Sequence, residues 1–237
     1  MAAAPTFAAD PESALARYNE DGVFMEPDVL TPAACEALIA AAQNLPTARD
    51  GTFLPVMQVH RLEPKFRELM GHPRILAMMD RVCGGPVEGI QTQFYFTPPG
   101  RAGLGFHQDN YFVEAPDDAF ASAWVALVDT HPGNGGLYAF KGSHKLGKLP
   151  VRQVDAGGKD KREAVYEETV LPDGLPRIDI SARRGSVVLI HGWSAHGSYQ
   201  NTSGANRCVI LNTYVREGAP FRPGATARRE AVKLARA

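Results

Sequence analysis

Residues 90–96 read Ile90-Gln91-Thr92-Gln93-Phe94-Tyr95-Phe96, and their alternation decides the fold. Successive side chains of a strand point to opposite faces, so Gln91, Gln93 and Tyr95 share one side and Thr92, Phe94 and Phe96 the other. The aromatic side calls for packing beneath helices. The amide-and-phenol side calls for a wet or ligand-filled interior, because buried polar groups need partners.

Upstream of this strand, roughly the first 85 residues read as helical. Asp10-Pro11 and Thr31-Pro32 each place a capping side chain before a proline at the first helical position, ahead of good helix formers at 12–18 and 33–42. Pro73 opens a third helix, with Ile75, Met79 and Val82 on one face and Gly84-Gly85 as its stop. Downstream, residues 124–128, 185–190 and 207–215 are strand candidates rich in valine and isoleucine. Turns at Pro98-Pro99-Gly100 and Asn134-Gly135-Gly136 punctuate them. Helices followed by turn-separated strands predict a mainly β fold, a jelly roll with a helical support. The expectation is one domain over 1–237, with a support at about 9–85, a core at about 86–217 and a basic tail at 218–237. Residues 150–180, charged and glycine-bearing, read as a surface excursion able to act as a lid. Residues 222–237, basic and alanine-rich, read as a frayed or surface helix.

Composition narrows the function. An apolar share of 44% supports a substantial core, and 25 basic against 26 acidic residues give no field for nucleic acid or anionic lipid. Cys35, Cys83 and Cys208 are an odd number without CxxC spacing, which argues against a disulfide framework or a thiolate zinc site and fits a reducing cytosol. The first residues lack a basic n-region, and no run approaches the ~18 apolar residues of a membrane span. The expectation is a cytoplasmic protein acting on a small molecule, with neither nucleic acid nor membrane as partner.

The chemistry lies in His107-Gln108-Asp109 and in the stretch Ile190-His191-Gly192-Trp193-Ser194-Ala195-His196. In extended chain His107 and Asp109 point the same way and can offer an imidazole nitrogen and a carboxylate oxygen to one ion. Either His191 or His196 can complete a face of two histidines and one carboxylate. Such a face leaves positions open for oxygen chemistry on iron(II), and the donor set also suits zinc. The mundane alternative has Asp109 capping a turn beside a surface histidine. Arg207 begins a strand whose own face carries Val209, Leu211 and Thr213, and a guanidinium there needs an anion, either an internal aspartate or an organic dicarboxylate. Ser198 lies two residues beyond His196 and can add a hydroxyl to the same carboxylate. Gln93 and Tyr95 can form an internal hydrogen-bonded pair or contact a ligand.

Taken together, His196-Gly197-Ser198, Asn201, Ser203 and Arg207 resemble the distal signature of the phytanoyl-CoA dioxygenase family of iron(II)/2-oxoglutarate oxygenases. Phe106-His107-Gln108-Asp109 resembles its proximal signature. Trp124-Val125-Ala126-Leu127-Val128-Asp129, Asn134-Gly135-Gly136-Leu137 and Gly142-Ser143-His144 are similar to its middle block. The likeness covers roughly residues 14–217. It implies a double-stranded β-helix (jelly roll, cupin-like) and an iron(II) held by His107, Asp109 and His196, with His191 structural and His144 ordering a loop. It implies 2-oxoglutarate and dioxygen as cosubstrates, with Arg207 and Ser198 on the far carboxylate of the keto acid, helped by Gln93 and Tyr95. It also suggests polar contacts near Gln58 and His60. With Asp109 in place of the small residue of halogenating relatives, hydroxylation of an unactivated carbon is expected, releasing succinate and carbon dioxide. Substrate choice then falls to Gln91, Asn110, Tyr111 and the excursion at 150–180, with Trp124 as wall. A non-catalytic metal-binding jelly roll and a zinc-dependent hydrolase are the competing classes.

Overall fold

The computed structural model describes residues 5–154 and 167–236. Its helices are α1 (Pro11–Asp21), α2 (Pro32–Ala42), the single turn α3 (Pro46–Arg49), α4 (Pro64–Met70), α5 (Pro73–Val82) and the short α6 (Asn110–Val113). The caps read from sequence are present. Asp10 accepts from the Ser13 amide at 3.1 Å and Thr31 from the Ala34 amide at 3.2 Å. Gly22 ends α1 at φ 77°, a backbone conformation that costs glycine little.

Strands β1 (Val23–Glu26), β2 (Val56–Met57), β3 (Val87–Thr97), β4 (Phe120–Ala126), β5 (Leu137–Phe140), β6 (Val151–Gln153), β7 (Glu167–Thr169), β8 (Arg177–Ile180), β9 (Val187–His191), β10 (His196–Ser198) and β11 (Arg207–Arg216) follow. All pair antiparallel. The major sheet runs β1-β9-β4-β11-β3-β2, and a smaller one runs β10-β5-β8. Two antiparallel sheets facing each other across a core make the jelly roll expected from the sequence. The outer face of the major sheet packs on the helices: Phe94, Phe96, Cys208, Ile210 and Tyr214 share one core with Ile75, Met79 and Val82. The inner face carries Trp124, Val188, Val209 and Leu211 toward Leu137 and Ala139 of the smaller sheet. The two-sided reading of residues 90–96 therefore holds residue by residue.

Two expectations are corrected. The N-terminal third is not all helix, since β1 pairs with β9 and β2 with β3; edge strands this short carry too few residues for a period to show. The tail is not a surface helix either. Residues 222–236 run without helix across the sheet, where Val232 bridges Gly89 and sits in the helical-side core, and Arg236 pairs with Asp80. The excursion at 150–180 supplies the β6–β7 ribbon and β8, and its residues 155–166 lie outside the described ones.

Candidate metal centre and its cavity

His107 and His196 face each other across an isolated bridge in which each amide donates to the other's carbonyl, at 2.9 and 3.0 Å. The glycines around them allow this closeness: a Cβ on Gly103 would overlap the backbone of Ser198 and Tyr199. His107 Nδ1 lies 3.0 Å from the Gly105 carbonyl, and His196 Nδ1 lies 3.0 Å from that of Ser194. A carbonyl only accepts, so both Nδ1 atoms carry the proton and both Nε2 lone pairs are free. Those Nε2 atoms stand 3.4 and 3.9 Å from Asp109 Oδ1. Donor atoms of His107, Asp109 and His196 all fall within 4.8 Å of one another, the geometry of three ligands around one ion.

Asp109 is oriented by Ser122, whose hydroxyl donates to Oδ2 at 2.7 Å. Sequence reading missed this residue. Burial opposes ionisation of Asp109, but His196, His107 and the Ser122 hydroxyl together hold its carboxyl well below the usual range. For His107 burial disfavours the charged form, yet the hydrogen bond and charge of Asp109 outweigh it and raise its pKa. His196 ends lowered, with burial dominant and Asp109 compensating only in part.

His191 is elsewhere. Its Nδ1 accepts from the Trp193 amide at 3.1 Å, its ring packs against His144 and Tyr18, and burial lowers its pKa to about 4. His144 donates from Nε2 to the Asn19 carbonyl at 2.9 Å, tying a turn to α1. Asn201 donates to the carbonyls of Thr97 and Ala205, and Ser203 donates to Asn201, so both build the turn into β11.

Arg207 enters the same interior from β11 and is only 5% exposed. Its guanidinium lies over Trp124 at 5.8 Å, its Nε is buried without a hydrogen bond, and among the described residues no carboxylate pairs with it. Burial lowers its pKa to about 10. No described residue is the internal aspartate that could have satisfied it. Around it, Tyr95, Leu104, Trp124, His196, Ser198 and Leu211 line a narrow recess. Ser198 Oγ accepts from the Leu104 amide at 3.0 Å, which leaves its O–H to donate.

This recess shares Tyr95, Leu104, His107 and Leu211 with the lining of a cavity of about 720 Å³, within the range of small-molecule sites. Gln91, Gln93, Tyr95, His107 and Asp109 line it. Tyr95 donates to Gln93 Oε1 at 3.1 Å, and Gln91 Oε1 is buried without a partner. Asn110 does not line it: its side-chain amide is consumed by both backbone groups of Ala115, at 2.9 Å each. Tyr111 also turns away, under Lys148. Phe112, Val113 and Phe120 take their place. Neither Gln58 nor His60 lines the cavity: Gln58 donates to the Ala227 carbonyl at 2.6 Å, and His60 contacts Thr92 Oγ1 at 2.8 Å on the helical side of the sheet. The excursion at 150–180 contributes no described residue to the lining. Instead the roof is the C-terminal segment, through Arg222, Thr226 and Arg229. Pro220, Pro223 and Gly224, poor helix residues at the head of this segment, were the available sign.

A jelly roll with two histidines and a carboxylate converging at its mouth, beside a buried arginine without a carboxylate partner among the described residues, defines a metal-binding class of barrel. The phytanoyl-CoA dioxygenase family model matches residues 18–209, and the chain belongs to that family. It is 29% identical over 154 residues to the phytanoyl-CoA dioxygenase of Arabidopsis thaliana, a match covering 63% of this chain and 52% of that protein. The chain thus spans about half the length of that relative. To the ectoine dioxygenase of Nocardia farcinica it is 26% identical over 226 residues, covering 83% of this chain and 75% of the other. Among solved structures, the non-heme alpha ketoglutarate dependent carbocyclase SnoK from nogalamycin biosynthesis superposes with a TM-score of 0.77 at 23% identity, covering 100% of this chain and 97% of that one.

Proposed function

We propose that this protein is an iron(II)- and 2-oxoglutarate-dependent dioxygenase that hydroxylates a carbon of a small molecule. The observation that carries the reading is Arg207, a buried guanidinium with no carboxylate partner among the described residues, placed beside three converging metal donors. Leaving such a cation unpaired costs several kcal/mol, and a ligand carboxylate would remove most of that cost. A zinc hydrolase has no use for it.

The residues divide the work. His107, Asp109 and His196 would hold the ion, with Gly105, Ser194 and Ser122 fixing their orientation. Arg207 would take the far carboxylate of 2-oxoglutarate through paired N–H donors, and Ser198 would donate its free O–H to the same group. Tyr95 borders both recess and cavity, so it would separate the keto acid from the substrate chamber. Leu104, Trp124 and Leu211 keep bulk water from the anchor. Bound iron, with 2-oxoglutarate and dioxygen, would supply the oxidation that turns C–H into C–OH while the keto acid becomes succinate and carbon dioxide. Gln91, with an unused buried carbonyl, would orient the substrate. The relatives' names, a phytanoyl thioester oxygenase and an ectoine oxygenase, span substrates too different to choose between.

Iron-loaded protein given 2-oxoglutarate in air should release succinate even without primary substrate, slowly, and zinc-loaded protein should not. A metabolite that accelerates release and itself gains oxygen is the substrate. No succinate above a metal-free control would overturn the reading.

A further inference from the structure

The C-terminal segment brings a second buried guanidinium to the cavity. Arg229 is 8% exposed and lines the chamber beside Phe112 and Thr226. Its Nη1 faces three carbonyls, those of Phe112, Arg222 and Pro223, at 3.0, 3.2 and 3.5 Å. Those bonds fix the plane of the group. They leave the other edge untouched: Nε is buried without a partner, and Nη2 makes no hydrogen bond to a described residue. The Nε–Nη2 edge is the pair of parallel donors that a carboxylate bridges. Elsewhere in this protein Arg152 turns the same edge on one carboxylate oxygen, Glu168 Oε2.

The charge balance of the chamber points the same way. The other charged arginine in its wall, Arg222, is matched by Glu114 at 3.0 Å. The one acidic group in the described lining is Asp109, already committed to His107, His196 and Ser122. Burial lowers the pKa of Arg229, with Asp109 acting against the shift and Arg222 adding to it, and among the described residues no carboxylate pairs with it. A cation held in place, largely buried and half-bonded at the wall of a substrate chamber is a receptor for an anion.

We infer that Arg229 selects the primary substrate by its carboxylate, so that this enzyme acts on a small organic acid whose remaining body lies against Leu54, Met57, Phe112, Val113 and Phe120. This deepens the oxygenase reading and rests on it. Arg207 serves the cosubstrate and Arg229 the substrate, two anion sockets in the linings of two cavities that both reach His107, with different occupants.

The test uses iron-loaded full-length protein saturated with 2-oxoglutarate without oxygen, titrated calorimetrically with octanoate, cyclohexanecarboxylate and phenylacetate, each beside its methyl ester. At least one acid should bind on the order of a hundredfold more tightly than its ester. R229Q should erase that preference by weakening the acid alone, with 2-oxoglutarate binding unchanged. Should R229Q not fold, R229K decides, because it keeps the cation but loses the paired edge. There the acid should bind at least tenfold more weakly and the ester as before. Acids and esters binding alike, no acid binding, or an arginine variant that keeps the preference or loses 2-oxoglutarate would overturn the inference. A wild-type protein that fails to bind 2-oxoglutarate would instead sink the oxygenase reading beneath it.

Discussion

The recess around Arg207 and the chamber roofed by Arg229 are neighbours built by different means. Backbone ladders hold the recess. Arg207 is registered against Thr97, Tyr95 against Val209, and His107 against His196. Its side chains point where strand parity sends them. The chamber roof is an irregular segment held largely by side chains, with Gln58 on the Ala227 carbonyl, Arg61 on that of Arg228 and Arg229 on that of Phe112 in α6, beside a single backbone bridge of Val232 to Gly89. A ladder fixes positions sharply and changes little when surface residues change. A roof tied on by individual side chains can be rebuilt by a few substitutions. The recess thus suits chemistry common to many substrates, and the chamber suits selection among them.

The largest effect should come from the metal donors. Alanine at His107, Asp109 or His196 should abolish turnover and tight iron(II) binding, measured by metal content after gel filtration. His191→Ala should keep the iron, because its ring serves the Trp193 amide and the His144 stack. Iron lost with His191→Ala and kept with His196→Ala would reverse that assignment.

Ser122→Ala tests whether the recess depends on its outer supports. Without the 2.7 Å hydrogen bond to Asp109 Oδ2, iron affinity should fall ~10–100-fold. Tyr95→Phe probes the boundary between the two regions. Losing one hydrogen bond of ordinary strength should weaken 2-oxoglutarate about fivefold if Tyr95 belongs to the recess. No change in 2-oxoglutarate with a weakened primary substrate would move Tyr95 to the chamber.

The smallest effect concerns stability. Burial, with Arg61 and Arg67 nearby, lowers the His60 pKa from 6.5 to about 4, and burial beside His144 does the same for His191. The unfolded chain therefore takes up these protons first. Their stabilisation is complete above pH 6.5 and is lost as pH falls toward about 4. Thermal midpoints should decline through that window, and His60→Gln should flatten the decline. A midpoint independent of pH there would remove the assignment.

The strand-built walls of both recess and chamber were legible in the sequence because they are periodic. Alternation placed Gln91, Gln93 and Tyr95 inside and Phe94 and Phe96 beneath the helices, and the same parity turned Arg207 inward with Leu211. The α6 side and the roof of the chamber were not legible. Nothing local tells that Asn110 spends its amide on Ala115 while Phe112 faces the cavity, since that depends on the tight turn of α6. The roof rests on contacts between residues far apart in the chain, such as Gln58 with Ala227 and Gly89 with Val232, which leave no period to read. Ser122 shares a strand face with Trp124, but its meeting with Asp109 depends on how α6 is seated.

The central claim is that Arg207 and Arg229 hold different anions. The most direct measurement is an anaerobic titration of 2-oxoglutarate into iron(II)-loaded protein, followed by the visible charge-transfer absorption of a keto acid chelated to iron. Removing one partner of a buried charged pair typically costs ~3–5 kcal/mol, so Arg207→Ala should require roughly two to three decades more 2-oxoglutarate, whereas R229Q should follow the wild-type curve. An Arg207→Ala curve that overlays the wild type, or an R229Q curve displaced as far as that of Arg207→Ala, would contradict the account.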